Sequence, residues 1–226
     1  EGLAWVCVGA IANESGFLTG GKYGFVDKTG TEVVPIKYDN VSEFNEGLAP
    51  VELNKKFGFV NKVGAEVILI KYNSVSNFND GFAVVGLNGK YGFIDINGNE
   101  IIPIKYDYLE HFRDGLAVAQ LGNKFGFIDK NGKEIIPIKY DNASGFDEGL
   151  APVGLNKKFG FVNKAGIEVI PLKYDYALGF SEGLARVTLK DIDGFIDKTG
   201  KEVIPIIYNA SIFQEGLVKV RLANQT

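Results

Sequence analysis

The sequence predicts an all-β fold: six 34-residue repeats of about three antiparallel strands each, stacked as an open curved array. Three observations lead there. The glycine of a "GF" pair recurs at Gly24, Gly58, Gly92, Gly126, Gly160 and Gly194 without slippage. A turn glycine (Gly30 to Gly200), a glutamate two residues after it (Glu32 to Glu202) and a tyrosine (Tyr38 to Tyr208) keep the same step. Finally, apolar residues alternate with a period of two, and no stretch sustains the 3.6-residue period of a helix.

Each repeat justifies its strands in order. The phrase at 47–54, "GLAPVELN", is short, apolar and ends on a turn signal. The next, "KKFGFVNKVG" at 55–64, alternates at Phe57 and Phe59 as a strand does. It closes on an Asx-type turn, where an Asp or Asn side chain accepts an N–H two residues on and glycine supplies the positive φ. The return strand at 32–39, "EVVPIKYD", puts Val34, Ile36 and Tyr38 on one face and Val33, Pro35 and Lys37 on the other. Proline lacks an N–H, so this strand belongs at an edge or passes a bulge; Leu69 in the proline slot implies that the bulge is not demanded in every repeat. An irregular connector follows, with an aromatic at Phe44, Phe78, Phe112, Phe146, Phe180 and Phe213.

The expected division is one array over 1–226. Residues 1–21 carry a first strand and an insertion, the repeats occupy 22–45, 46–79, 80–113, 114–147, 148–181 and 182–214, and 215–226 is a terminal strand. A single unit cannot hide both apolar faces and must stack on neighbours. A closed six-bladed β-propeller is the alternative. Thirty-four residues is short for a blade, which ordinarily takes about 40–50. Seven "EGL" phrases, the first at Gly2 and the last at Gly216, also stand against six copies of every other strand.

The composition excludes several classes. Hydrophobic residues are 46% of the 226, enough for a core, and no apolar run is long enough for a membrane-spanning helix. The net charge of −4, with both signs interspersed, argues against a nucleic-acid partner. Cys7 is the only cysteine, so no internal disulfide forms. The chain starts at Glu1 and holds no Met, as after removal of a leader or in a fragment of a longer protein.

The recurring phrase F-x-E-G-L-A-x-V followed by K-[YF]-G-F-[VI]-D-K-x-G-x-E-V-I-P-x-x-Y-D resembles the WG repeat of bacterial tandem arrays, over essentially the whole chain. The Trp slot of that motif holds Tyr23, Phe57, Tyr91, Phe125, Phe159 and Asp193. Aromatic replacements keep a packing role; Asp193 does not, so the last unit is expected to pack less tightly there. The resemblance implies a repeat scaffold, secreted or at a cell surface (a cytoplasmic location being the alternative), and brings no reaction with it.

Chemistry-bearing residues are sparse. His111 is the only histidine and sits in a connector where other repeats hold Glu43, Asn77 or Gly145, which reads as a variable surface residue. One His and one Cys do not make a zinc site, and no metal or cofactor is expected. The oxygen-rich "DINGNE" at 95–100 has its glycine fourth, not sixth as in an EF-hand loop, and turn formation accounts for Asp95, Asn97 and Gly98. Carboxylates before the "GL" phrase (Glu46, Asp80, Asp114, Glu148, Glu182, Glu215) recur too regularly for catalysis and read as turn caps. A row of Lys37, Lys71, Lys105, Lys139 and Lys173 is the candidate partner-contact surface; its bland counterpart is edge-strand protection. The segment 5–20, with the only Trp and Cys, is read as an end cap, a binding loop being the alternative. The expectation is a non-enzymatic scaffold that binds a protein or polysaccharide; self-assembly through array ends and a carboxylate-based enzyme are the competing readings.

Overall fold

The structure, a computed structural model, describes residues 2–12, 15, 18–210 and 220–222. Among these there is no α-helix, as the all-β expectation requires. No helix is long and apolar enough to cross a membrane. The chain divides into two units, Glu1–Tyr106 and Asp107–Thr226, each with three consecutive repeat sheets, antiparallel and none closed into a barrel; unit 1 also holds a two-stranded ribbon, Ile11–Ala12 with Leu18–Thr19.

In unit 1 the first sheet pairs Ala4–Val8, Lys22–Val26 and Glu32–Tyr38 in that order. The second pairs Asn40–Val41, Leu48–Leu53, Lys56–Asn61 and Glu66–Tyr72. The third repeats that order with Ser74–Val75, Phe82–Leu87, Lys90–Asp95 and Glu100–Tyr106. In unit 2 the fourth and fifth sheets follow suit, from Tyr108–Leu109 to Glu134–Tyr140 and from Asn142–Ala143 to Glu168–Tyr174. The sixth runs from Tyr176–Ser181 to Glu202–Ala210, and Val220–Leu222 adds a fifth strand at its edge. Phe213, Glu215 and Gly216 lie outside the described residues, as do part of the Tyr208–Phe213 connector, one residue shorter than its counterparts such as Tyr38–Phe44, and residues 13, 14, 16 and 17 of the insertion.

The expected three strands per repeat are therefore four in the regular sheets. The extra strand is only two residues long, too short for alternation to reveal it. In the second sheet it pairs Asn40 with Glu52 and Val41 with Val51. The preceding aspartate pins it: the Asp39 N–H donates to the Glu52 carbonyl, and Asp39 Oδ2 accepts the Asn54 N–H of the hairpin beside it. Asn73, Asp107, Asp141 and Asp175 make the same side-chain contact to the hairpins of their own sheets.

The six Asx turns form as expected and do more. Asp27 Oδ1 accepts the N–H of Thr29 and of Thr31, two and four residues on, and Asn61, Asp95, Asp129, Asn163 and Asp197 do the same. The Thr29 side chain and these amides hold the Asp27 carboxyl below its ordinary pKa. One side chain thus satisfies two N–H groups of a two-sided turn.

The return strand carries a bulge in all six sheets and lies at the edge of the first five; in the sixth, Val220–Leu222 pairs outside it. Opposite the single residue between Phe57 and Phe59, three residues intervene between Ile68 and Tyr72. The bulge is present where Leu69 replaces proline, so the expectation that it follows proline is corrected. Its cause is the partner strand: a Cβ on Gly58 would lie 2.5 Å from the Ile68 carbonyl oxygen and 2.8 Å from the Ile70 nitrogen. Only glycine admits that approach. The glutamate of the motif ties the bulge down, Glu66 Oε1 accepting the Ile70 N–H at 3.1 Å, with counterparts at Glu100, Glu134 and Glu168.

Each sheet is apolar on both faces, which accounts for the unbroken run of buried residues at Leu48, Ala49 and Val51. Leu48, Phe59, Ile68 and Tyr72 pack forward onto Phe78, Ala83, Val85 and Ile94 of the third sheet. Ala49, Val51 and Val60 pack back onto Phe25, Val34 and Tyr38 of the first. Unit 2 repeats this between the fourth and fifth and between the fifth and sixth sheets. The connector aromatics complete these layers, with Phe59 and Phe78 at 4.9 Å between centroids and Phe161 and Phe180 at 5.0 Å. Burying such a ring stabilises by about 1.5–3 kcal/mol. Asp193, in the aromatic slot of the sixth sheet, accepts the hydroxyl of its cross-strand partner Thr188 at 2.7 Å, replacing a packing contact with a hydrogen bond.

Candidate binding cleft around Trp5

The repeated charged residues form the joints of the structure. Glu46 and Gly47 have φ of 52° and 83°, the two left-handed central positions of a type I′ turn whose flanks, Asn45 and Leu48, exchange backbone hydrogen bonds. Asp80, Asp114, Glu148 and Glu182 occupy the same strained position. The side chains of Glu46, Asp114 and Glu148 reach the following sheet of their own unit, which regular spacing alone did not reveal. Glu46 accepts the Gly81 N–H at 2.9 Å, and Glu148 accepts the Gly183 N–H at 3.1 Å and Lys198 Nζ at 2.9 Å. Lys164 pairs with Asp114 at 3.2 Å. Lys198, then the Gly183 amide, holds the Glu148 carboxyl below its ordinary range.

The lysine row lies exposed on the outer strand of its sheets. Each Nζ sits over the ring of the next tyrosine: Lys37 over Tyr38, Lys71 over Tyr72, Lys105 over Tyr106, Lys139 over Tyr140 and Lys173 over Tyr174, at 5.0–5.2 Å from the centroid. These contacts orient the ammonium groups without covering them. His111 is exposed on its connector; partial desolvation of its ring by its neighbours and then the Arg113 charge lower its pKa. The Asp95 carboxylate is engaged within its own turn by Asn97 and Asn99.

The least repetitive surface is at the first sheet. In the strand Ala4–Val8, Trp5 stands where other repeats place Pro50, Val84, Val118, Pro152 and Arg186, and pairs across the strand with Phe25. Trp5 is 56% exposed, and Val8 and Ile11 are exposed too. The indole makes a tilted contact with Tyr23, 6.1 Å between centroids and 51° between planes. It walls two clefts. One, of about 510 Å³, is lined by Trp5, Tyr23, Asn40, Val41, Ser42, Glu43 and Asn77. The other, of about 360 Å³, lies between Trp5, Leu3, Ala4, Phe25, Phe44 and the same Glu43.

The equivalent groove of the fifth sheet shows why the first is open. It measures about 120 Å³ and is lined by Pro152, Phe159, Tyr176 and Gly179, among others. There Tyr176 lies against Phe159 at 5.5 Å and fills the space. In the repeat frame Tyr176 corresponds to Asn40, Phe159 to Tyr23, Pro152 to Trp5 and Gly179 to Glu43. Asn40 carries no ring to lie on Tyr23 as Tyr176 lies on Phe159, the three-stranded first sheet has no counterpart of the Asn142–Ala143 strand that lines the closed groove, and Trp5 gives the opening an aromatic wall.

The WG-containing repeat family matches residues 23–57, 57–91, 91–125, 125–159, 159–191 and 194–225, and the chain belongs to that family of tandem β-repeat proteins. No curated protein matches it at a significant level. Similar solved structures include one titled as the eukaryotic initiation factor, 12% identical with a TM-score of 0.51, covering 99% of this chain and 69% of that one. Hsv2 of Kluyveromyces lactis is 12% identical with a TM-score of 0.46, covering 71% of this chain. The AfRom2 CNH domain is also 12% identical, with a TM-score of 0.39, covering 93% of this chain and 92% of its own. The chain spans 60% of the length of that Hsv2 chain. The likeness to the initiation-factor structure concerns the fold alone.

Proposed function

We propose that the chain is a non-enzymatic β-repeat scaffold that binds a protein or glycan partner at a cell surface. The observation that carries this reading is the cleft at Trp5, where an exposed indole and the polar side chains of Asn40, Ser42, Glu43 and Asn77 sit at the break in an otherwise regular array. Ligand sites of this kind are concave, aromatic-walled and furnished with few polar groups, and typically measure roughly 300–1,000 Å³. The acid/base groups support a binding role over catalysis. Each carboxylate with a resolved shift among the described residues moves downward, held ionised by amides, hydroxyls or lysines. A general acid needs the opposite shift. The exposed lysines are a separate candidate contact surface, electrostatic in character.

The test is retention of glycans and surface proteins by the immobilised chain, together with sedimentation over a dilution series. Saturable retention of a discrete partner by a chain of constant size is expected. No retention, with mass that grows with concentration, would mean self-assembly instead. Unchanged partner binding by the Lys71→Glu, Lys105→Glu, Lys139→Glu triple variant would remove the lysine row from the interface.

A further inference from the structure

We infer that the Trp5 cleft is a subsite for one ring of a neutral carbohydrate, stacked on the indole and held at its edge by Asn40, Ser42, Glu43 and Asn77. This deepens the binding reading above and rests on it. The argument begins with charge. Among the described residues Glu43 is the only charged one lining either cleft, and no Lys or Arg lines them. A phosphate, sulfate or uronate finds no counter-ion there. What remains is a neutral ligand with hydroxyl or amide groups, or a cation.

Geometry decides between these. Trp5 and Tyr23 form an open corner with planes 51° apart, and Trp5 is more than half exposed. A cation gains most from π faces when it is desolvated by surrounding rings, and a two-ring corner leaves it hydrated. A pyranose presents a flat face of C–H groups suited to the electron-rich indole face, while its rim carries hydroxyls. The polar residues match that rim. Asn40 Oδ1 accepts the Val41 N–H, which leaves its Nδ2 donors. The Glu43 carboxylate and the Asn77 side-chain amide are engaged by no other described residue, so both are available, one as acceptor and one as donor and acceptor. The groove of the fifth sheet lacks the indole and the carboxylate, with Pro152, Tyr176 and Gly179 in the slots of Trp5, Asn40 and Glu43.

Trp5 is the only tryptophan, so its emission reports the site directly. The full chain is titrated with cellohexaose, chitohexaose and laminarihexaose up to ~10 mM, and separately with choline. A saturable blue shift with at least one sugar is expected, with a Kd of roughly 10 μM to 1 mM, as for a single shallow subsite. Asn40→Tyr, which places in this groove the ring that fills the regular one, and Glu43→Ala should each weaken binding by about tenfold or more. Circular dichroism and thermal melts confirm that both variants fold. Three results overturn the inference: no response to any of the three sugars, unchanged affinity in both variants, or a response to choline alone. The retention assay is repeated with Trp5→Val, the residue of the third and fourth sheets. A partner kept by that variant leaves the binding reading standing and this subsite refuted; no partner for the unmodified chain removes both.

Discussion

The Glu148 carboxylate accepts the backbone N–H of Gly183, a residue of the next sheet, at 3.1 Å, and the ammonium of Lys198 at 2.9 Å. One side chain thus caps a turn and joins two sheets. Its pKa is lowered in the folded chain. A lowered carboxylate contributes stability that is fully present above its ordinary value of 4.5 and fades as the pH falls through the folded value. Glu148→Gln should lower stability at pH 7 by about 0.5–1 kcal/mol, since the pair is partly exposed. The gap between variant and parent should close on acidification and narrow in high salt. Urea midpoints at pH 7 and pH 3 check both.

Gly58 and Gly30 are both invariant in the repeat, for different reasons. A Cβ at Gly58 meets the Ile68 carbonyl, while Gly30 has φ of +83° and nothing within 4 Å. Gly58→Ala should cost about 3 kcal/mol, the upper range of overpacking, because backbone blocks it. Gly30→Ala should cost only about 1 kcal/mol of left-handed strain. Equal losses in chemical denaturation would contradict the steric account of the bulge.

Lys157 is exposed at φ of +61°, the second left-handed position of its hairpin. Lys157→Gly relieves the strain and should raise stability by about 0.5–1 kcal/mol. Lys55 has φ of +60° in the second sheet, and the two gains should add. Thermal midpoints of the singles and the double measure this.

Leu69 occupies the proline slot on the outer edge of its sheet and is 67% exposed. Since the bulge is already in place, Leu69→Pro should raise stability by about 0.4–1 kcal/mol by stiffening the unfolded chain. A loss of stability would show that the Leu69 N–H is used.

Much of this architecture was legible because a period amplifies weak signals. The "DKTG" turns, the edge position of the Pro35 strand and the two-faced alternation at Val34 and Lys37 each recur several times, and each stands where the residues place it. Features carried by few residues or by long separations were hidden. The strand Asn40–Val41 is too short to alternate. The bulge was credited to Pro35 because its cause, the missing side chain of Gly58, lies on another strand. The reach of Glu46 to Gly81 joins residues 35 apart and has no local signature. At the candidate site, the segment with the only Trp stood out as irregular, but its apolar character suggested burial. The cleft depends on what Asn40 fails to fill, and a void has no letter of its own.

The contact from Glu148 to Gly183 and Lys198 has a genetic corollary. Donor and acceptor are both drawn from fixed places in the same 34-residue text, so an in-frame duplication delivers a new copy with both halves of its joint already written. Length can then change by whole copies without any matching substitution elsewhere. The exception is visible at Ile96, which stands where the third sheet would offer Glu46 its lysine. Drift of that kind in one copy is tolerable because the neighbouring copies still carry the joint.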